Sequence, residues 1–207
     1  MITQIRFGKN DSNSYLLQQD GFVIIIDAGN GAEIIRTIRK QGWTAEYIFL
    51  THEHFDHIMD LQKLREEFDV PVVACRLCSE RIQDVSTNLS NIADVMAYFK
   101  TGEIPEEKTE TFDCEAAEIV YEDDWQFSWR GHEFAFRRLP GHSPASVVIT
   151  MDGDKYFTGD YIIYQEEEIL RLKDGSEADY EKYAKPFLDN IPEGAYIYPG
   201  HGEAYRK

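Results

Sequence analysis

Three cysteines among 207 residues, Cys75, Cys78 and Cys114, are too few and odd in number for a disulfide framework, so a small stapled scaffold is excluded and reduced thiols are expected. Basic residues are scarce as well: 21 Lys and Arg stand against 38 Asp and Glu, a formal net charge of −17. A phosphate backbone would meet mostly repulsion, and no local basic patch interrupts the acidity, so no nucleic-acid partner is expected. No stretch reaches the roughly 18 apolar residues of a membrane span, and the opening Met1-Ile-Thr-Gln-Ile-Arg-Phe-Gly8 has no apolar signal core. No membrane partner is expected either, and the expected compartment is the cytoplasm. Repeats and low-complexity tracts are absent. What is present is an ordinary globular composition, 43% hydrophobic and 13% aromatic with Gly and Pro dispersed, at a length suited to one domain.

In the first half, β-rich runs at 14–18, 22–27, 47–50 and 70–75 are interspersed with helical patterns. Ile34, Ile35 and Ile38 mark one helix, which follows Gly29-Asn-Gly31 and ends near Gly42. Leu61, Leu64 and Phe68 mark another that ends before Pro71. The second half carries strand patterns at 118–121, 126–129, 132–139, 146–151 and 155–158, an Asp152-Gly153 turn, a helix within 177–188 and a strand at 195–198. Strands mixed with helices in both halves, without strict βαβ alternation, predict an α/β fold: two sheets packed face to face with helices outside them, a four-layer αββα sandwich.

Between the halves, Ile92, Val95, Met96 and Phe99 follow helical spacing within 86–111. This stretch reads either as a surface helix burying one stripe or as a lid beside the active site, inserted into a single domain covering 1–207. Cys75-Arg-Leu-Cys78 has metal or redox spacing, but with no second pair or neighbouring His, packing thiols are expected. Glu166-Glu-Glu168 reads as a solvated turn, Tyr161 and Tyr164 as packing residues, and His132 as structural.

The chemistry concentrates after the strand at 47–50, which runs into Thr51-His-Glu-His-Phe-Asp-His57. In an extended chain, side chains two apart point the same way, so His52 and His54 can share an ion, and the turn into the next helix can aim Asp56 and His57 at a neighbouring point. Further candidate ligands sit in three Gly-punctuated turns after predicted strands: His142 in Leu139-Pro-Gly-His-Ser143, Asp160 in Phe157-Thr-Gly-Asp160, and His201 in Tyr198-Pro-Gly-His-Gly202. A lone histidine is ordinarily a surface or hydrogen-bonded core residue, but five of the six histidines in the chain fall in this one set. Imidazole and carboxylate donors suit zinc and also iron or manganese.

His52-x-His54-x-Asp56-His57, followed in order by Gly141-His142-Ser143, Gly159-Asp160 and Pro199-Gly-His201, resembles the metallo-β-lactamase superfamily, and within it the small glyoxalase II-like hydrolases. The likeness runs from about Asn13 to the C-terminus. It implies His52, His54 and His142 on one metal ion, Asp56, His57 and His201 on a second, and Asp160 bridging the two. Asp27, in an Asp27-Ala-Gly29 turn similar to the family's Asp-Pro-Gly, would support the ligand loop by hydrogen bonding. The implied cofactors are two divalent ions, zinc first, with iron or manganese also suited. The implied reaction is hydrolysis of an ester, thioester or lactone by a metal-activated water, with Asp56 a catalytic residue orienting the nucleophile. A small-molecule substrate is expected, and the oligomeric state stays open. Two alternatives are carried: a mononuclear-iron persulfide dioxygenase and a non-catalytic metal-binding module. Only six residues follow His201, leaving no room for the C-terminal helical part that binds thiol substrates in full-length glyoxalase II, so glutathione thioesters are not expected. Ala145 stands where many relatives have Gly. Specificity is expected from 86–111 and 161–171.

Overall fold

The apolar run at 22–26 forms a central strand, β3 (Phe22–Ile26), with four of its five residues buried, as a strand covered on both faces requires. The structure is a computed structural model that describes residues 1–6, 12–103, 105, 108–166 and 168–207. On one side β3 pairs antiparallel with β2 (Asn13–Gln19), which pairs antiparallel with β1 (Ile2–Arg6). On the other it pairs parallel with β4 (Thr44–Phe49), and β5 (Val72–Cys75) and β6 (Ile119–Tyr121) continue in parallel. The helical connections between these parallel strands include α1 (Gly31–Gln41) and α3 (Leu61–Phe68), preceded by the single-turn α2 (Phe55–Ile58). Asn30 caps α1 by accepting the Glu33 N–H, and Gly42 ends it with φ 65°, a left-handed value that glycine adopts without strain. After β5 come α4 (Arg76–Arg81), a helical turn at Ser90–Ile92 and α5 (Ala93–Thr101).

The second sheet runs β12-β11-β10-β9-β8-β7, comprising β7 (Asp124–Trp129), β8 (His132–Arg138), β9 (Val147–Met151), β10 (Lys155–Gly159), β11 (Tyr196–Pro199) and β12 (Tyr205–Arg206). Asp152 and Gly153, both with positive φ, close the β9–β10 hairpin. Before β11 the chain is helical from α6 (Glu177–Asp179) through a wider turn at Tyr180–Ala184 to α7 (Lys185–Asp189).

The main core lies between the sheets. Phe49 of the first sheet meets Phe127, Phe134 and Phe136 of the second edge-on, with ring centroids 5.7, 5.6 and 5.0 Å away. A separate buried cluster, including Val148, Tyr156, Ala184, Leu188 and Ile197, joins the helical stretch to the second sheet's outer face. The architecture is the four-layer αββα sandwich, each of its two sheets mixed.

Topology gathers the loops. β8 and β10 are both antiparallel to β9 and therefore run the same way, as does β11, parallel to β10. Backbone hydrogen bonds from Val147 N to Thr51 O (2.8 Å) and from Asn13 N to Gly200 O (2.7 Å) sew the two sheets together where β4, β8, β10 and β11 end. Every loop carrying a candidate ligand leaves one of these four strand ends.

Several elements differ from expectation. α2, α4 and β12 are too short for periodicity to reveal, and β1, polar at Thr3, Gln4 and Arg6, lacks the apolar run that marks the other strands. The stripe within 86–111 does not bury as a unit: Val95 is 52% and Phe99 81% exposed, while Ala93, with Leu89, packs against Phe55 of α2. Positions 104, 106 and 107 of that insertion lie outside the described residues. Cys75 and Cys78 are buried, and the Cys75 sulfur caps α4 by accepting the Cys78 N–H. His132, the first residue of β8, pairs with Asp152 of the β9–β10 turn at 2.8 Å. Glu168 is not a solvated turn residue: it accepts the Ile162 N–H at 2.8 Å, and burial pushes its carboxyl up to about 7. Its neighbour at 167 lies outside the described residues.

Candidate metal centre

At the end of β4 the chain leaves the sheet through Leu50 and Thr51 and stays extended to His54, whose φ of −65° and ψ of 145° precede the single turn of α2. Alternation then aims His52 and His54 to one side, while α2 brings Asp56 and His57 round to face them. His142, Asp160 and His201 arrive from the ends of β8, β10 and β11. The structure brings all seven into one pit as two groups, His52, His54, His142 and Asp160 beside Asp56, His57 and His201, with the potential ligand atoms of each group within 4.8 Å of one another.

Asp160 is the hub. Its Oδ1 is 3.2 Å from His57 Nε2, and its Oδ2 is 3.3 Å from both His142 Nε2 and His201 Nε2 and 3.8 Å from His52 Nε2. Asp56 Oδ2 lies 3.3 Å from His201 Nε2 and 3.8 Å from His57 Nε2. Close approach requires small neighbours: a Cβ on Gly200 would collide with Asp160 Oδ1, and one on Gly29 with the Asp56 carbonyl.

Three imidazoles are oriented from behind. Asp27, a buried residue with φ 58° at the end of β3, accepts from Thr51 N (2.8 Å) and Thr51 Oγ1 (2.7 Å) and pairs with His57 Nδ1 (2.9 Å). With its own proton given to Asp27, the Thr51 hydroxyl can only accept from His52 Nδ1, 3.0 Å away. His142 Nδ1 faces the Ile169 carbonyl at 2.8 Å, and a carbonyl can only accept. All three rings therefore donate from Nδ1 and turn Nε2 into the pit. His142 Nε2 meets His54 Nδ1 there at 2.9 Å.

The fit to a cation rests on what these atoms lack. His52 Nε2, His54 Nε2, His57 Nε2, Asp160 Oδ1 and His201 Nδ1 are buried without a hydrogen-bond partner, where such groups are normally satisfied. Burial, reinforced by neighbouring imidazoles, holds His52 well below its ordinary value and His54 at about 3, the neutral form a metal needs. At His57 and His201 burial also opposes charge, but the Asp160 and Asp56 carboxylates outweigh it, raising His57 well above its usual value and His201 to about 10. Burial works against ionising Asp56, yet His57 and His201 hold it at about 2. Protonated His57 and His201 thus give the carboxylates the positive charge a cation would supply, and imidazole with carboxylate is a donor set suited to zinc, iron or manganese.

This arrangement, with the two-sheet fold, decides the family. The chain belongs to the metallo-β-lactamase superfamily, whose model matches residues 7–201. Among similar proteins, the probable metallo-hydrolase YqgX of Bacillus subtilis is 28% identical over 197 residues, covering 94% of this chain and 87% of that protein. A hydroxyacylglutathione hydrolase of Klebsiella pneumoniae is 26% identical over 192 residues, 90% of this chain but 59% of that protein, so the chain spans somewhat over half its length. The BLEG-1 B3 metallo-beta-lactamase superposes with a TM-score of 0.85 at 25% identity, over 100% of this chain and 94% of that one. No described helix is long and apolar enough to cross a membrane.

Sequence reading passed over several residues of the site. Thr51 links Asp27 to His52, and Tyr161, expected merely to pack, donates to Leu139 O (2.8 Å) and accepts the His142 N–H (2.9 Å). Asn13 and Tyr15 hold the His201 turn through the Pro199 carbonyl at 2.8 and 2.6 Å. Glu53, between two ligands, is fully buried and bonded to Arg81 and Ser143. Of these, only the buried glutamate carries a signal in the sequence, a charge wedged between two ligand candidates; its partner is nearly thirty residues away.

Proposed function

We propose that this superfamily member is a metal-dependent hydrolase of small esters, thioesters or lactones, working with two divalent ions, zinc first. The observation that carries the reading is the pair of candidate ligand groups facing one another across Asp160, each with buried ring nitrogens that have no hydrogen-bond partner. His52, His54 and His142 would hold one ion, Asp56, His57 and His201 the other, and Asp160, touching both groups, would bridge them. Bound there, the ions would supply a water ionised near neutral pH and a Lewis acid for a carbonyl oxygen.

The chain's own residues would do the rest. Asp56, ionised and 11% exposed, sits on the accessible side of the pit with His201, at 15%, so a substrate carbonyl approaches past these two. There the Asp56 carboxylate can accept a proton from the attacking water and align it. Asp27 and Thr51 keep His52 and His57 in their ligand tautomers throughout. Chain segments 86–111 and 161–171 would set specificity, with the exposed Ile169 side chain offering apolar surface beside His142.

A full second ligand group favours this reading over a mononuclear-iron dioxygenase, and the names of the relatives agree with a hydrolase. The test is a panel of thioesters, esters, lactones and a β-lactam, assayed with metal content and oxygen uptake. Hydrolysis lost on chelation and restored by zinc supports the proposal. One iron per chain with persulfide-dependent oxygen uptake and no hydrolysis replaces it, and turnover of the β-lactam alone moves the substrate class.

A further inference from the structure

The Glu53 carboxylate, placed by alternation on the opposite side of the strand end from His52 and His54, is 0% exposed. A buried carboxylate needs a partner, and Glu53 has two: Arg81 Nε donates to Oε1 at 2.6 Å and Ser143 Oγ to Oε2 at 2.8 Å. Ser143 follows His142, so a single carboxylate ties together the loops that carry three of the candidate ligands. Arg81, the last residue of α4, is itself only 13% exposed, and its fork reaches further: the second nitrogen donates to Asp174 Oδ2 at 2.8 Å.

Asp174 belongs to the stretch, described at 161–166 and 168–176, that passes His142 and supplies the Ile169 carbonyl to its Nδ1 at 2.8 Å. The stretch's own bonds, Ile162 N to Glu168 and Gly175 N to the Leu172 carbonyl at 2.9 Å, shape only part of it. Ile162, Gln165 and Asp174 take φ of 47°, 63° and 67°, values that disfavour residues other than glycine, and a β-branched Ile most of all. Backbone so placed persists only where the contacts around it fix it. Near its end these are the Arg81–Asp174 pair, Lys173 Nζ on the Ser86 carbonyl at 2.7 Å, and Ser176 N on the Gly141 carbonyl at 2.8 Å.

We infer that Arg81 is a positioning residue for the proposed metal centre: seated between Glu53 beneath the ligand loop and Asp174 on the stretch beside His142, it fixes the two pieces of chain between which His142 is oriented. This rests on the proposed metal-dependent reading and extends it to a residue that faces no ligand atom. Through Asp174 it holds the Ile169 carbonyl where only an Nδ1–H can meet it, keeping His142 Nε2 bare for an ion.

The test separates positioning from stability. Arg81→Gln strands the Glu53 charge and can simply unfold the chain, so the deciding variants are Asp174→Ala, which leaves Glu53 paired, and the double Glu53→Gln/Arg81→Gln, which removes the buried charges together. Each is made metal-free, its melting temperature recorded, and titrated with zinc alone against a competing chelator. Nitrogen chemical shifts of the His142 ring report its tautomer. Expected in Asp174→Ala are a near-unchanged melting temperature, tighter-site zinc affinity about 10-fold weaker, and mixed His142 tautomers. The double variant is expected to show the same affinity loss. Wild-type affinity and a pure Nδ1–H tautomer in both variants overturn the inference while leaving the hydrolase reading intact. A wild-type chain that takes up no zinc overturns both.

Discussion

Two ligand groups share the pit but are not built alike. Around His52, His54 and His142 the side chains are at most 2% exposed, His52 and His142 have their Nδ1 protons fixed by Thr51 and a main-chain carbonyl, and burial keeps His52 and His54 discharged. Around Asp56, His57 and His201 only His57 is tied from behind; His201 is 15% exposed with an unpartnered Nδ1, and both imidazoles are raised by the carboxylates beside them. The first group is prepared to accept a cation as it stands. The second must release protons first. Preorganisation of neutral donors is thus concentrated in the more deeply buried group, and adaptability in the more exposed one, where the proposed reaction has its substrate approach.

The largest effect should come from the residue common to both groups. Asp160→Ala is expected to lose both ions and lower kcat/KM by more than about 100-fold, read by elemental analysis alongside the substrate panel. If one ion stays bound at full affinity, Asp160 does not link the groups. His201→Ala sharpens the contrast: it should strip the outer ion alone, leaving one per chain, whereas His142→Ala should weaken the inner ion. Asp27→Ala should blur the contrast, since Asp27 serves His52 through Thr51 and His57 directly; both affinities should fall about 10- to 100-fold together. Loss confined to one group would show that Asp27 serves only one of them.

Acidity separates the groups without mutation. Because His201 holds its proton up to about 10, zinc binding at the outer group must displace it, so outer affinity should rise by about 10-fold per pH unit for each proton released between about 6 and 9. With His54 at about 3 and His52 also depressed, the inner affinity should be nearly flat over that range. Calorimetric titrations at several pH values would show this, and equal slopes would erase the distinction.

The smallest effect concerns stability. Glu168 titrates near 7 in the folded chain against 4.5 unfolded, so the native state binds more protons between these values and the metal-free fold should weaken as pH rises through that window. Glu168→Gln, which keeps an acceptor for Ile162 N, should remove this loss, gaining about 2 kcal/mol at pH 8 and little at pH 4, once its partial exposure is allowed for. Urea denaturation at both pH values measures it, and an equal change at both would trace the effect to packing instead.

How much of this could be read in advance follows from range. The strands of both sheets show as apolar runs between turn residues, and the candidate ligands show because imidazoles and carboxylates cluster in short Gly-punctuated motifs. Thr51, Tyr161 and Arg81 do not, because their roles depend on contacts made across the fold rather than on neighbouring residues. The stripe Ile92, Val95, Met96 and Phe99 shows the same limit: helical spacing predicts a face but not what covers it, and Ile92 and Met96 pack against the Phe55 cluster while Val95 and Phe99 are exposed. Glu168 looked like a surface charge beside two others until the turn at Ile162 folded over it.

The most direct test of the two-ion account is native mass spectrometry of the metal-free chain titrated with zinc at pH 8, in parallel with His201→Ala. The account predicts that the wild-type chain fills in two steps to two ions, with hydrolysis rising as the second binds, and that the variant stops at one. A wild-type chain that saturates at one ion or none, or a variant that still takes up two, would contradict it.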